Sequence, residues 1–182
     1  EIVLVQDGDV SDSLKNVIIK WKQSLKSKLV HIINPTNIGL TKSLNIGLMS
    51  CNGDYIARMD ADDISKQERF LLQVEYLEKY KNIDVLGGSM QEFSSENDCL
   101  FIRSYPKTNT EILNKIHISS PFCHPSVMFR RKIFDEGNFY NNNFITSQDI
   151  DFWFSLISRG YKMSNLENVI LLFRINDNTA KR

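Results

Sequence analysis

Residues 2–59 alternate strand, helix, strand, helix, strand, and that order is the strongest constraint this sequence places on its fold. Ile2-Val3-Leu4-Val5 is short and continuously apolar and runs into the turn-forming Asp7-Gly8-Asp9, which reads as a buried parallel strand. Asp12 can cap the helix that follows. There Leu14, Val17, Ile18, Trp21 and Leu25 recur at three- and four-residue steps, placing one apolar face on about four turns. A second strand is expected at 29–33. The turn cluster Asn34-Pro35-Thr36-Asn37 then precedes a second helical stripe, Leu40, Leu44, Gly47 and Leu48, ending near Cys51-Asn52-Gly53. Tyr55-Ile56-Ala57-Arg58-Met59 is a third strand, which stops at Asp60-Ala61-Asp62-Asp63. The order predicts an α/β fold with a mostly parallel sheet flanked by helices. Ligands of such sheets bind beyond the carboxyl ends of the strands, the edge where Asp7 and residues 60–63 fall.

The second half is less regular. A helix is expected at about 67–80, then apolar segments near 85–93 and 100–105 as a strand pair joined by the polar Ser94-Ser95-Glu96-Asn97-Asp98. A helix near 110–117, a loop at 119–125, a strand at 126–129 and an Asn-rich loop at 138–146 follow. Ile150, Phe152, Trp153, Leu156 and Ile157 support a helix over 148–159 with Ser147 as its cap, and a last strand spans 169–175. The 182 residues show no repeat, linker or clear boundary, so a single domain over 1–182 is expected. Lys plus Arg and Asp plus Glu each number 22, which removes the electrostatic basis for binding nucleic acid. Cys51, Cys99 and Cys123 are widely spaced without a CxxC pair, so neither a disulfide framework nor a zinc site is indicated, and a reducing compartment is expected. The opening Glu1-Ile2-Val3-Leu4-Val5 reads as a strand met in mid-course, as though the chain began inside a longer protein.

On an extended backbone the carboxylates of Asp60 and Asp62 leave the same side, while Asp63 faces elsewhere. Two hard oxygen ligands at a strand end suit Mg2+ or Mn2+ completed by water and substrate phosphates, although acidic residues that merely complement the next helix would look the same. Ser65 and Leu71 stand where a calcium loop needs Gly and Glu, and neither a P-loop nor a G-x-G-x-x-G is present. Asp149 falls at the start of the helix beside the bulky Phe152-Trp153, where apolar neighbours favour a general base; a plain N-terminal helix acid is the alternative. His124 is a base, a ligand, an acceptor contact or an ordinary loop histidine, and His31 and His117 read as structural. Arg130-Arg131-Lys132 reads as a solvated helix start rather than a phosphate grip. Phe139, Tyr140 and Phe144 either line an acceptor groove or pack within their loop.

Four segments in order are more specific than any one of them: Val3-Leu4-Val5-Gln6-Asp7-Gly8; Asn37-Ile38-Gly39-Leu40-Thr41-Lys42-Ser43-Leu44-Asn45-Ile46-Gly47-Leu48; Gly53-Asp54-Tyr55-Ile56-Ala57-Arg58-Met59-Asp60-Ala61-Asp62-Asp63; and Ser147-Gln148-Asp149-Ile150-Asp151-Phe152-Trp153. Together they resemble family 2 glycosyltransferases of the GT-A fold, over nearly the whole chain. The resemblance implies an inverting transfer from a nucleoside-diphosphate sugar, with uridine the family expectation, to a hydroxyl of a glycan or lipid-linked acceptor. It assigns nucleotide-sugar binding to Asp7, Asn37, Lys42 and Asp60, a Mn2+ or Mg2+ site to Asp62 with Asp60, and the catalytic base to Asp149. His124, Asp151 and Trp153 fall to the acceptor side.

Gln148 stands where the family usually has Glu. The family's first strand and its nucleotide-contacting loop would precede Glu1. The resemblance therefore implies an open edge beside Ile2-Val3-Leu4-Val5, which a homodimer could close, and an incomplete base pocket that leaves this chain inactive on its own. Resemblance to enzymes of bacterial surface-polysaccharide and lipopolysaccharide synthesis implies a cytoplasmic protein at the inner face of the plasma membrane. Two other readings stand beside it. One is a sugar-nucleotide-binding module without turnover; the other is a metal-dependent phosphohydrolase of the haloacid-dehalogenase type, on the strength of Asp60-Ala61-Asp62-Asp63-Ile64 at a strand end.

Overall fold

In the computed structural model residues 1–94 and 99–175 are described, and the chain separates into two compact units. The Ser95 to Asp98 part of the expected polar loop lies outside the described residues. The first unit holds Glu1–Asp54 with Arg131–Phe152; the second holds Tyr55–Arg130 with the chain from Trp153 onward.

In the first unit β1 (Ile2–Asp7) and β2 (Leu29–Asn34) pair in parallel, joined by α1 (Asp12–Leu25), and α2 (Leu40–Ser50) follows. The expectation of a buried first strand is corrected, because β1 is half-buried and Ile2 is 51% exposed. Among the described residues it has β2 as its one strand neighbour, and a parallel strand is buried only when both sides and both faces are covered. The helix cap is Ser11 rather than Asp12: the Leu14 amide donates to Ser11 Oγ at 3.4 Å, and Asp12 lies in the first turn. α1 has the predicted length and stripe, yet none of its residues is buried. α2 is packed more closely, with Gly47 so near Val5 that an added Cβ would lie 3.2 Å from its Cγ2. The loop at 138–146 is tied down by Asn45, whose Nδ2 donates to the Tyr140 carbonyl at 2.8 Å. Tyr140, Phe134 and Phe152 pack ring against ring, so Tyr140 is core rather than groove lining.

The second unit is built on a six-stranded mixed sheet, order β3 (Tyr55–Ala57), β7 (Met128–Arg130), β5 (Val85–Phe93), β8 (Met163–Arg174), β4 (Ile64–Ser65), with β6 (Cys99–Arg103) also on β5. β3 pairs antiparallel with β7. Element order alone does not choose a strand's neighbour, and the three residues of β3 find theirs in β7. The long β5–β8 ladder is parallel. Side chains from β8 lie over Gly87 and Gly88, where an added Cβ would sit 2.2 Å from Asn165 Oδ1 and 2.6 Å from Ile170 Cδ1.

Three helices complete the second unit's description: α3 (Arg69–Lys79), α4 (Asn109–Lys115) and the Trp153 end of α6 (Gln148–Ser158); the short α5 (Lys132–Asp135) belongs to the first unit. α3 buries Arg69, Gln73 and Leu77 at four-residue steps, so two of its three core contacts are polar. Gln73 Nε2 donates to the carbonyls of Leu86 and Ser126, both at 2.9 Å. α4 starts one residue early at a Thr108/Glu111 capping box. The strand expected at 126–129 begins at Met128, because His124–Ser126 forms a 3-10 turn around Pro125. β8 begins at Met163 rather than 169; the buried Ser164 and Asn165 hide it from an apolar pattern. No helix among the described residues is long and apolar enough to cross a membrane.

Candidate functional site

Beyond β3 the chain turns rather than continuing extended, with the Asp63 amide donating to the Asp60 carbonyl at 3.3 Å. That turn corrects the expectation that Asp63 faces away. One carboxylate oxygen from each of Asp60, Asp62 and Asp63 lies within 4.8 Å of the others. At an effective dielectric of about 20, two unit charges at that spacing repel by about 3 kcal/mol, so three carboxylates hold together only if the fold restrains them.

Restraint comes from both sides. Arg58 donates from its amide to the Val127 carbonyl at 2.9 Å and from Nη2 to Asp60 Oδ1 at 2.6 Å. On the other flank the Arg174 amide donates to Asp63 Oδ1 at 2.9 Å. Asp62 is exposed; Asp60 is partly buried; Asp63 is only 7% exposed. Burial pushes the Asp60 carboxyl above its usual range against the pull of Arg58. It pushes Asp63 up to about 6, with the charges of Asp60 and Asp62 adding to the effect. Asp63 Oδ2 is buried with no hydrogen-bond partner among the described residues.

Three hard carboxylate oxygens converging on one turn, with a buried Asp63 oxygen that has no hydrogen-bond partner among the described residues, fit a divalent cation such as Mg2+ or Mn2+. Beneath the turn lies a second arginine that sequence patterning missed. Arg69 is fully buried, with Nη2 donating to the Arg58 carbonyl at 2.8 Å and Nε to Gln73 Oε1 at 3.1 Å.

In the first unit Asp7 ends β1, and its carboxylate is the anchor of the turn after β2. Oδ1 accepts from Asn34 Nδ2 at 3.0 Å and from the Ile38 amide at 2.9 Å; Oδ2 accepts from the Gly39 amide at 2.9 Å. Burial opposes the charge, but these donors outweigh it and lower the pKa. Gly39, at φ +91°, lets the chain turn from this loop into α2. Asn37 and Lys42 are exposed beside it. Asp149 and Asp151 lie half-buried in the first turn of α6, and Ser147 precedes them with a left-handed φ of 58°.

Of the remaining candidates, Trp153 lies in the core. Trp153 is 0% exposed and packs against Phe122 and Phe129, which corrects its assignment to the acceptor side. Its ring is also edge-on to His124, whose protonation burial suppresses well below the usual histidine value. His31 shares a 3.2 Å hydrogen bond with Gln6, and His117 packs on Phe154. The basic run is not a solvated helix start: Arg130 is in β7 and donates from Nε to the Ile83 carbonyl at 2.8 Å, while Arg131 Nη1 donates to the Cys51 carbonyl at 2.8 Å. Phe139 and Phe144 are each more than a third exposed.

Residues 1–137 match the family described as "Glycosyl transferase family 2". The chain is 33% identical over 183 residues to the amylovoran biosynthesis glycosyltransferase AmsE of Erwinia amylovora, covering 100% of this chain and 67% of that protein. It is 30% identical over 183 residues to the UDP-Gal:alpha-D-GlcNAc-diphosphoundecaprenol beta-1,3-galactosyltransferase of Escherichia coli, covering 100% of this chain and 65% of that one. Among solved structures, S. aureus TarS 1-349 in complex with UDP matches with a TM-score of 0.73 at 19% identity, over 99% of this chain and 52% of that chain. The mannosyltransferase PcManGT from Pyrobaculum calidifontis, in complex with GDP-Man and Mn2+, matches with a TM-score of 0.68 at 14% identity, over 97% and 48% of the two chains. The chain thus spans 67% and 65% of these two curated relatives, and 52% and 48% of the two solved structures, whose likeness is one of fold.

Proposed function

The chain belongs to glycosyltransferase family 2 and has the GT-A fold, and on that premise we propose that it transfers a sugar, with inversion, from a UDP-sugar to a hydroxyl of a glycan or lipid-linked acceptor. The observation that carries this reading is the convergence of Asp60, Asp62 and Asp63 at the end of β3. These residues would hold Mn2+ or Mg2+, whose charge, when bound, offsets the negative charge that gathers on the departing diphosphate. Asp62 is the exposed ligand and Asp63 the buried one, while Asp60 is shared with Arg58. Asp7 holds the loop that carries Asn37, and Lys42 follows in α2; this group binds the nucleotide part of the donor.

Asp149 is the general base. It takes the proton of the acceptor hydroxyl as that oxygen bonds to the anomeric carbon and the carbon–oxygen bond to the diphosphate breaks. His124 and Asp151 act on the acceptor side. The named activity of the E. coli relative, on a diphosphoundecaprenol-linked sugar, supports a lipid-linked acceptor and a place at the inner face of the plasma membrane. The phosphohydrolase reading is set aside, since the family match runs through residues 1–137 and includes the acidic turn on which it rested.

Calorimetric titration of UDP with and without Mn2+, on this chain and on Asp62→Ala, tests the reading. The expected result is Mn2+-dependent binding that is lost in the variant. Absence of UDP binding by this chain under any cation condition would remove the UDP-donor assignment.

A further inference from the structure

The two restraints on the acidic turn differ in kind. Arg58 stands two residues from Asp60 and acts within its own segment, whereas Arg174 comes from 111 positions beyond Asp63. The β4–β8 ladder brings these segments together but stops at the Ile64–Leu172 pair, two residues short of Arg174. Past the ladder's end Arg174 makes two contacts with the turn. Its amide donates to Asp63 Oδ1 at 2.9 Å, and its Nε donates to the Asp62 carbonyl at 2.8 Å. The guanidinium is itself held in place, 4.4 Å from the centroid of the Phe93 ring.

We propose that Arg174 is a positioning residue of the cation site, fixing the turn so that Asp62 and Asp63 converge before a cation arrives; this rests on the cation-site reading above. The bond from Nε holds the peptide that joins Asp62 to Asp63. The amide bond holds the Asp63 carboxylate by Oδ1 and leaves Oδ2, buried and without a hydrogen-bond partner among the described residues, for the cation. A carboxylate held by one oxygen and free at the other is the usual state of a metal ligand oriented by an outer partner.

Positioning and simple charge predict opposite outcomes. Removing a positive charge beside three carboxylates strengthens their attraction for a divalent cation, whereas removing the Nε bond to the Asp62 carbonyl, with the backbone amide bond to Asp63 left in place, lets the turn spread and weakens it. The experiment is a Mn2+ titration followed by electron paramagnetic resonance, without nucleotide, on the full chain, Arg174→Ala and Arg174→Lys, alongside thermal melts of the metal-free proteins. Arg174→Ala is expected to bind Mn2+ about tenfold more weakly. Arg174→Lys, which keeps the charge but not the directed Nε donor, is expected to stay well below the unmodified chain.

Equal or tighter Mn2+ binding by a folded Arg174→Ala overturns the proposal. If that variant does not fold, unmodified affinity in Arg174→Lys overturns it. If the unmodified chain itself binds no Mn2+, the cation-site reading fails and takes this inference with it, a result distinct from failure of the variants alone.

Discussion

The Gly39 amide donates to Oδ2 of Asp7 across 32 residues of sequence, at 2.9 Å, while Ile38 and Asn34 occupy Oδ1. A residue that family resemblance assigns to the nucleotide is thus first of all the clasp of the loop that carries Asn37. Asp7→Ala is expected to lower stability by about 1–3 kcal/mol, because three donors lose a charged acceptor. The sign with pH is fixed by the lowered pKa. The Asp7 contribution is present above the ordinary carboxylate value and is lost as the pH falls through the folded value. Urea denaturation at neutral and acid pH should show the difference between the two proteins shrinking in acid.

Asp63 behaves in the opposite sense. Its carboxyl is raised to about 6, so the folded protein binds this proton more tightly than the unfolded chain does. The penalty of keeping it charged is present above about pH 6 and is relieved as the pH falls towards the unfolded value of about 4. Asp63→Asn, which keeps an oxygen for the Arg174 amide, is expected to melt about 2–4 °C higher near neutral pH, a gain that disappears in acid. On the cation-site proposal, added Mn2+ is expected to stabilise the unmodified chain, and this variant to show no such gain. Thermal melts with and without Mn2+ across this pH range check both parts.

Much of this was legible, and the failures share a cause. The stripes of α1 and α2 and the apolar run of β5 announce themselves because their periods are regular. Arg69 and Gln73 occupy the buried face of α3 with polar side chains, so no hydrophobic pattern points to them. The place of Asp63 is not legible from strand alternation, because the chain leaves β3 at Ala57 and enters a turn, where the two-residue period no longer applies. Trp153 looked like a wall of the site because sequence proximity to Asp149 says nothing about which way a helical side chain points. Arg174 could not be read at all, since its role depends on a register between β4 and β8 that only the folded sheet defines.

Arg69→Met is expected to destabilise the protein by at least about 2 kcal/mol, since it strips donors from the Arg58 carbonyl and from Gln73 in a dry interior. Burial already lowers the Arg69 pKa to about 10, a measure of how reluctantly this charge is held. Arg69→Lys should recover little, because one ammonium cannot reproduce the guanidinium fork. Chemical denaturation of the two variants makes the comparison.

Asp149→Asn is expected to cut the transfer rate by about two to four orders of magnitude while leaving UDP binding intact, the signature of a lost base rather than a lost donor contact. Steady-state rates on a version of the protein shown to turn over, paired with calorimetry, separate the two. Parallel loss of UDP affinity would assign Asp149 to the donor instead.

The long reach between Asp63 and Arg174 also sets a timetable. During synthesis Asp60, Asp62 and Asp63 leave the ribosome more than a hundred residues before the arginine that fastens their turn. Until β8 is made and docked, the turn lacks both of its contacts from Arg174. If the turn holds a cation as proposed, a chain halted before Arg174 lacks the second fastening of that site.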